Sequence, residues 1–198
     1  MPNATKPYTE NLLEKTITNI LSLAISNVSL KADVQNFVDS YLQDRVFKSS
    51  VDLGCGSGFY GRMLRKHAIK LTGIDLDIDA VDEAQGYNKI FLGDIKLFDQ
   101  YVPDFDAIFL FDVIEHLTKE EGIELLSKAK EKAFVAIATP SKFSNSVQEL
   151  FTQFNPHKHK CVWTIEEFHK LGFKVWLFQR EGYWGMKYSH HIVGLFDK

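Results

Sequence analysis

Val51-Asp52-Leu53-Gly54-Cys55-Gly56-Ser57-Gly58-Phe59-Tyr60-Gly61 is the stretch that decides the fold. A short apolar run enters glycines on alternate positions and leaves as the start of a helix, the pattern of a ligand-binding turn between a strand and a helix. The glycines remove the Cβ atoms that would hold a ligand off the backbone, and they allow the φ angles a tight turn needs. Asp75 ends the next apolar run, 19 residues after Gly56, where a carboxylate can accept hydrogen bonds from both hydroxyls of a ribose. Gly56, Gly58 and Gly61 also satisfy GxGxxG, so an NAD(P)-dependent oxidoreductase is one alternative. Against it stands Asp52, two residues before the first glycine, whose charge suits a neighbouring amino group and serves a pyrophosphate poorly.

Outward from this turn, short apolar runs alternate with helical stretches. Val51 to Leu53, Lys70 to Ile74, Lys89 to Leu92, Ala107 to Phe111 and Phe134 to Ala138 read as buried parallel strands. Thr118 with Glu121 and Thr164 with Glu167 form capping boxes, so helices are expected to begin near Lys119 and Ile165, and Gly172 stands where a helix stops. Phe173 to Phe178 and His190 to Phe196 are joined only by an aromatic loop and should pair antiparallel. On the N-terminal side, Leu13, Ile17, Ile20, Ala24 and Val28 mark one helical stripe, and Val34, Phe37, Val38, Tyr41 and Leu42 mark a second. The expected architecture is therefore α/β, with residues 1–48 as a helical extension packing on a domain of residues 49–198.

The chain has 198 residues with a formal net charge of −3, which excludes a polybasic protein bound to nucleic acid by its whole surface. Cys55 and Cys161 are too few for a disulfide framework, the first residues are polar, and no apolar stretch has the length of a membrane span. A cytoplasmic protein without a membrane partner is expected. Asp79, Asp82 and Glu83 read as the start of a helix, forming with Asp77 a patch that would repel a phosphate backbone.

With these residues in place, VDLGCGSG, GIDLD, GDI and FDAIFLFDVIEHL together resemble the class I S-adenosylmethionine-dependent methyltransferase family. The resemblance covers the chain from about Ser50 onward. It implies a Rossmann-like, doubly wound, seven-stranded and mostly parallel sheet with an antiparallel last strand, a strand count that the apolar runs reach independently. It also implies that Gly54, Gly56 and Gly58 line the methionine part of the cofactor, with Asp52 at the base of the loop. By the same resemblance Asp75 binds the ribose, Leu76 packs on the adenine, and Asp94 and Ile95 meet the adenine edge through a carboxylate and a backbone amide. Phe111 would face the methionine end.

Beyond the fourth strand lies Asp112-Val113-Ile114-Glu115-His116. If these residues form a helical turn, Asp112, Glu115 and His116 share one face, above the crevice where such folds bind ligands. Methyl transfer requires the acceptor to be aligned and often deprotonated, and an imidazole suits that task, so His116 is the candidate base, with Glu115 and His159 as its neighbours. Asp112, Glu115, His116 and His159 could alternatively hold a divalent metal. That set is similar to the small-RNA 3′-terminal 2′-O-methyltransferase family, which has an acid-x-x-Glu-His segment and a later His-Lys-x-x-Trp-Thr segment, matched here at His159-Lys160 and Trp163-Thr164. The family's first acid is usually Glu and is Asp112 here.

The end of the fourth strand lacks the Asn/Asp-Pro-Pro-aromatic motif that clamps an exocyclic amine, which argues against DNA bases as acceptors. The favoured acceptor is a small or medium-sized organic molecule methylated on oxygen, with RNA 2′-O-methylation as the second reading. Tyr8, Tyr60, Phe143, Phe154 and Trp184 are candidate pocket walls.

Overall fold

The structure is a computed structural model that describes residues 30–141, 159–181 and 187–198. Residues 30–41 form α1, followed by β1 (Phe47–Leu53), α2 (Gly61–Leu64), β2 (Ala68–Asp75), α3 (Ile78–Glu83) and β3 (Lys89–Leu92). Next come α4 (Phe98–Tyr101), β4 (Ala107–Phe111), α5 (Lys119–Lys130), β5 (Phe134–Pro140), α6 (Ile165–Lys170), β6 (Lys174–Glu181) and β7 (Lys187–Phe196). One seven-stranded sheet results, in the order β3-β2-β1-β4-β5-β7-β6. The pairs from β3 through to β5 are parallel, and β7 runs antiparallel to both β5 and β6. The strand count agrees with the apolar runs, and the doubly wound, mostly parallel arrangement with an antiparallel last strand is the one the family resemblance implies. β1 begins at Phe47, inside the segment assigned to the N-terminal extension.

Strand alternation distributes the core over both faces of the sheet. On β4, Ile108 and Leu110 point to the layer that holds Leu125, Leu126, Trp163 and Phe168, while Ala107, Phe109 and Phe111 point to the opposite layer. α1 covers that second layer: Val34, Val38 and Leu42 are fully buried, and Phe37 packs on Trp176 with ring centroids 5.0 Å apart. The second N-terminal stripe is thus the buried face of a helix. The first stripe lies outside the described residues.

Both capping boxes form, at Thr118 with Glu121 and at Thr164 with Glu167, and they start α5 and α6 where the sequence places them. Gly172 follows α6 with φ +83°, a backbone conformation that favours glycine. Asp77 caps α3, accepting from the amides of Asp79 and Ala80. Among the described residues no helix is long and apolar enough to cross a membrane.

The topology brings two distant parts of the chain together. β1 and β4 are neighbours, so their outgoing turns flank the crevice where the strand order reverses. Because β7 is antiparallel, its first residues arrive where the parallel strands end, and His191 pairs in register with Pro140 at the end of β5.

Candidate active site

Gly54, Gly56 and Gly58 have φ of +72°, +49° and +87°. Two of these glycines are required for different reasons. A Cβ on Gly54 would lie 2.3 Å from Val113 Cγ2, so only glycine lets the turn after β1 approach the turn after β4. A Cβ on Gly56 would meet nothing within 4 Å among the described residues beyond its chain neighbours; it would fill the space open to a ligand. Ile74 O accepts from the amides of Gly54 (2.7 Å) and Cys55 (3.2 Å), which ties the turn to β2. Asp75 Oδ2 accepts from the Gly56 amide at 2.7 Å and Oδ1 from the Asp77 amide at 2.9 Å.

A cavity of about 690 Å³ opens over these strand ends. Gly54, Gly56, Asp75, Leu76, Asp94 and Ile95 line it, as do Lys31, Asp112, Glu115, His116, His159 and His191. Leu76 is 69% exposed, an apolar surface left uncovered beside the ribose-binding candidate Asp75. Asp94 caps the turn after β3 through the Lys96 amide. Asp52, Gly58 and Phe111, the remaining cofactor candidates, do not line the cavity. Asp52 is buried behind the glycine turn and accepts a 2.6 Å hydrogen bond from the Tyr87 hydroxyl. Burial pushes its carboxyl up to about 7, the Tyr87 bond opposes this, and the charge of Asp75 adds to it. Phe111 packs beneath Tyr60, with ring centroids 4.6 Å apart. Tyr60 is itself buried and does not line the cavity, while Tyr8, Phe143, Phe154 and Trp184 lie outside the described residues.

Asp112 departs from the expected helical turn. Its φ is +58°, the only positive value at a non-glycine position among the described residues. Its carboxylate is held by Lys31 of α1 and His191 of β7 and is not grouped with Glu115, His116 and His159. Oδ2 lies 2.7 Å from Lys31 Nζ, and Oδ1 lies 2.8 Å from His191 Nε2. Burial disfavours charge here, but the hydrogen bond and charge of His191, together with Lys31, outweigh it and hold the carboxyl well below the usual range. An ionised carboxylate only accepts, so His191 Nε2 carries the shared hydrogen.

Glu115 and His116 then form a short 3₁₀ turn, Ile114–His116. Glu115 is 1% exposed; its Oε2 accepts from Thr139 Oγ1 at 2.9 Å, and its Oε1 has no hydrogen-bond partner among the described residues. Burial, reinforced by the Asp112 charge, pushes the Glu115 carboxyl up to about 8. His159 Nε2 stands 4.0 Å from this Oε1. The ring of His159 meets that of His116 edge-on, with centroids 4.8 Å apart. Burial, with the His116 ring adding to it, takes His159 down to about 4.

Hydrogen bonds to main-chain oxygens fix this approach: Glu115 O accepts from the amides of Lys160 (2.8 Å) and Cys161 (3.2 Å), and Ile114 O accepts from the Trp163 side chain at Nε1 (3.4 Å). Lys119 Nζ sits 3.9 Å from the centre of the Trp163 ring and also bonds to Glu167 at 2.9 Å. The ligating atoms of Glu115, His116 and His159 all lie within 4.8 Å of one another, and Asp112 is not part of that group. Three of the four metal-ligand candidates are therefore brought together. Lys31, Thr139, His191 and Tyr87 were missed by sequence reasoning; adjacent histidines on a predicted strand, His190-His191, were the one available signal.

Residues 51–132 match the model of a methyltransferase-domain family. No curated protein matches the sequence. Among solved structures, the small RNA methyltransferase HEN1 superposes with a TM-score of 0.59 at 18% identity over 85% of this chain, which spans only 25% of that one. A SAM-dependent methyltransferase from Archaeoglobus fulgidus gives a TM-score of 0.60 at 20% identity, with 82% of this chain and 94% of that one covered. The magnesium protoporphyrin IX methyltransferase of Synechocystis PCC 6803 gives 0.59 at 16% identity, with 97% and 90% covered.

Proposed function

The chain carries a class I S-adenosylmethionine-dependent methyltransferase domain, and from that premise we propose that it methylates an oxygen of a small or medium-sized organic acceptor, with His116 taking the acceptor's proton. One observation carries this reading. A single cavity joins the turns after β1, β2 and β3, which offer Gly54, Gly56, Asp75, Leu76, Asp94 and Ile95, to the turn after β4, which offers Glu115 and His116. The first set suits the cofactor: open space in front of Gly56, an ionisable carboxylate for ribose hydroxyls at Asp75, and an uncovered apolar side chain for a purine at Leu76.

When bound, S-adenosylmethionine supplies a methyl group on a positively charged sulfur that departs as a neutral thioether, so the protein has to align the acceptor and accept a proton. The carboxylates beside the acceptor are poorly suited to that. Asp112 is engaged by Lys31 and His191, and Glu115 retains its proton near neutral pH. His191 Nε2 is bound to Asp112, whereas the imidazoles of His116 and His159 line the same cavity, and of these two His116 lies on the turn leaving β4. The Synechocystis enzyme, named for a small-molecule acceptor, supports the acceptor class.

Metal-dependent 2′-O-methylation of RNA is the second reading, favoured by the cluster of Glu115, His116 and His159, in which Glu115 Oε1 has no hydrogen-bond partner among the described residues. Those three residues would hold a divalent cation, which would supply Lewis acidity toward a ribose hydroxyl. The likeness to the small RNA methyltransferase supports it. The two readings separate when the protein is incubated with methyl-labelled S-adenosylmethionine and either metabolite pools or RNA. The expected result is a labelled small molecule, insensitive to a chelator and reduced at least ~100-fold in His116→Ala. Label found in RNA, abolished by the chelator and restored by Mn²⁺, would overturn the first reading in favour of the second.

A further inference from the structure

The glycine turn is supported from behind by a residue outside the cavity. Tyr87, between α3 and β3, donates to Asp52 Oδ2 at 2.6 Å, and Asp52 is 3% exposed in β1, two residues before Gly54. The Tyr87 ring occupies the space that three glycines leave vacant. A Cβ on Gly61 would lie 2.6 Å from its Cζ, one on Gly73 would lie 3.2 Å from its Cδ1, and one on Gly58 would lie 3.3 Å from its Cε2. Gly58 and Gly61, which complete the dinucleotide-like pattern, thus make room for a tyrosine and its loop, while the ligand-facing positions are Gly54 and Gly56.

We propose that Tyr87 is a positioning residue for the cofactor: by donating to Asp52 and filling the space behind Gly58 and Gly61, it holds the backbone of the glycine turn in the shape that receives S-adenosylmethionine. The proposal rests on the cofactor occupying that turn. Removing the hydroxyl deprives a buried carboxylate of a hydrogen bond, and the carboxylate must then take up a proton or move, disturbing a turn two residues away. The titratable groups acting around Asp52 include Tyr87, Asp75, Cys55 and Tyr60, none of them cationic, so none replaces the lost donor with a positive charge.

Calorimetry with S-adenosylhomocysteine on the full chain tests this, using wild type, Tyr87→Phe, Asp52→Asn and the double variant, with melting of the ligand-free proteins alongside. Tyr87→Phe is expected to bind about tenfold more weakly, the size of a hydrogen bond to a charged group. Its affinity should fall off with acidity at a higher pH than in wild type, because Asp52 takes a proton more readily, and variants carrying Asp52→Asn should lack that dependence. The two affinity losses should not add in the double variant. Binding of Tyr87→Phe within twofold of wild type, an unmoved pH profile, or additive losses would overturn the proposal. Should Tyr87→Phe fail to fold, Asp52→Asn decides, and an affinity within twofold of wild type overturns it. A wild-type protein that binds no S-adenosylhomocysteine would instead refute the methyltransferase reading, a distinct failure.

Discussion

His191 Nε2 lies 2.8 Å from Asp112 Oδ1 across 79 residues of chain, and this bond ties the last strand of the sheet to the turn that leaves β4. Lys31 holds the other carboxylate oxygen at 2.7 Å, so α1, β4 and β7 meet at one side chain. The backbone at that side chain is left-handed, a conformation that costs an ordinary residue about 1 to 2 kcal/mol and persists where surrounding contacts impose it. The same turn carries Glu115 and His116 into the cavity, so the ion cluster and the catalytic candidates share a scaffold.

Asp112→Ala is expected to destabilise the protein by about 3 kcal/mol, chiefly through the buried His191 bond, since Lys31 is 39% exposed and its pairing is partly screened. Asp112→Gly should lose about 1 kcal/mol less, because glycine accepts the φ of +58° that alanine resists. Urea unfolding of both variants measures the difference. Asp112 has a lowered native pKa, so its contribution is present above the unfolded value of about 4 and is lost as pH falls toward the native one.

Glu115 and His159 give opposite pH dependences that overlap only in part. A carboxyl raised from 4.5 to about 8 stays protonated in the fold while the unfolded chain releases its proton, so stability falls as pH rises across that range. An imidazole lowered from 6.5 to about 4 makes stability rise with pH, but only up to 6.5. Between 6.5 and about 8 the Glu115 effect therefore acts without opposition from His159. Glu115→Gln should gain about 1 to 2 kcal/mol relative to wild type over that interval, measured as urea midpoints at its two ends. A constant difference between the two proteins would show that Glu115 is ionised throughout.

The sequence makes legible what is local or periodic. Asp75 and Asp94 stand at successive strand ends, Glu115 and His116 are neighbours, and the two capping boxes each lie within four residues. The insertion of β7 between β5 and β6 is a tertiary fact, and with it comes His191 beside Asp112. Asp52 illustrates a different limit. Its place before the glycines suggests a ligand's amino group, but the carboxylate is satisfied by Tyr87, a residue whose sequence neighbourhood reads as an ordinary loop. The left-handed backbone at Asp112 likewise overrides the helical spacing that would have grouped it with Glu115 and His116.

Gly122 is a glycine inside α5, where alanine ordinarily stabilises by up to about 1 kcal/mol. Here a Cβ would lie 2.6 Å from Trp163 Cζ2, and Trp163 is 1% exposed. Gly122→Ala should therefore destabilise by about 1 to 2 kcal/mol through overpacking. Because Trp163 continues the segment that presents His159, the variant should also lose methyl transfer while retaining S-adenosylhomocysteine affinity; calorimetry and a labelled-methyl assay read the two separately.

Asp75→Ala tests the ribose assignment. The carboxylate accepts from the Gly56 and Asp77 amides, so it already stands at the cavity wall with its position fixed by two backbone donors. Ribose hydroxyls would add hydrogen bonds to a charged acceptor, each worth about 1.5 to 3 kcal/mol, and removing the carboxylate should weaken S-adenosylhomocysteine binding by about 10- to 150-fold. Part of that loss would come from the glycine turn, which gives up its Gly56 contact. The 2′-deoxyribose analogue of the ligand separates the contributions: wild type should bind it more weakly than the parent, whereas Asp75→Ala should bind the two alike. Equal binding of both ligands by wild type would place the ribose away from Asp75.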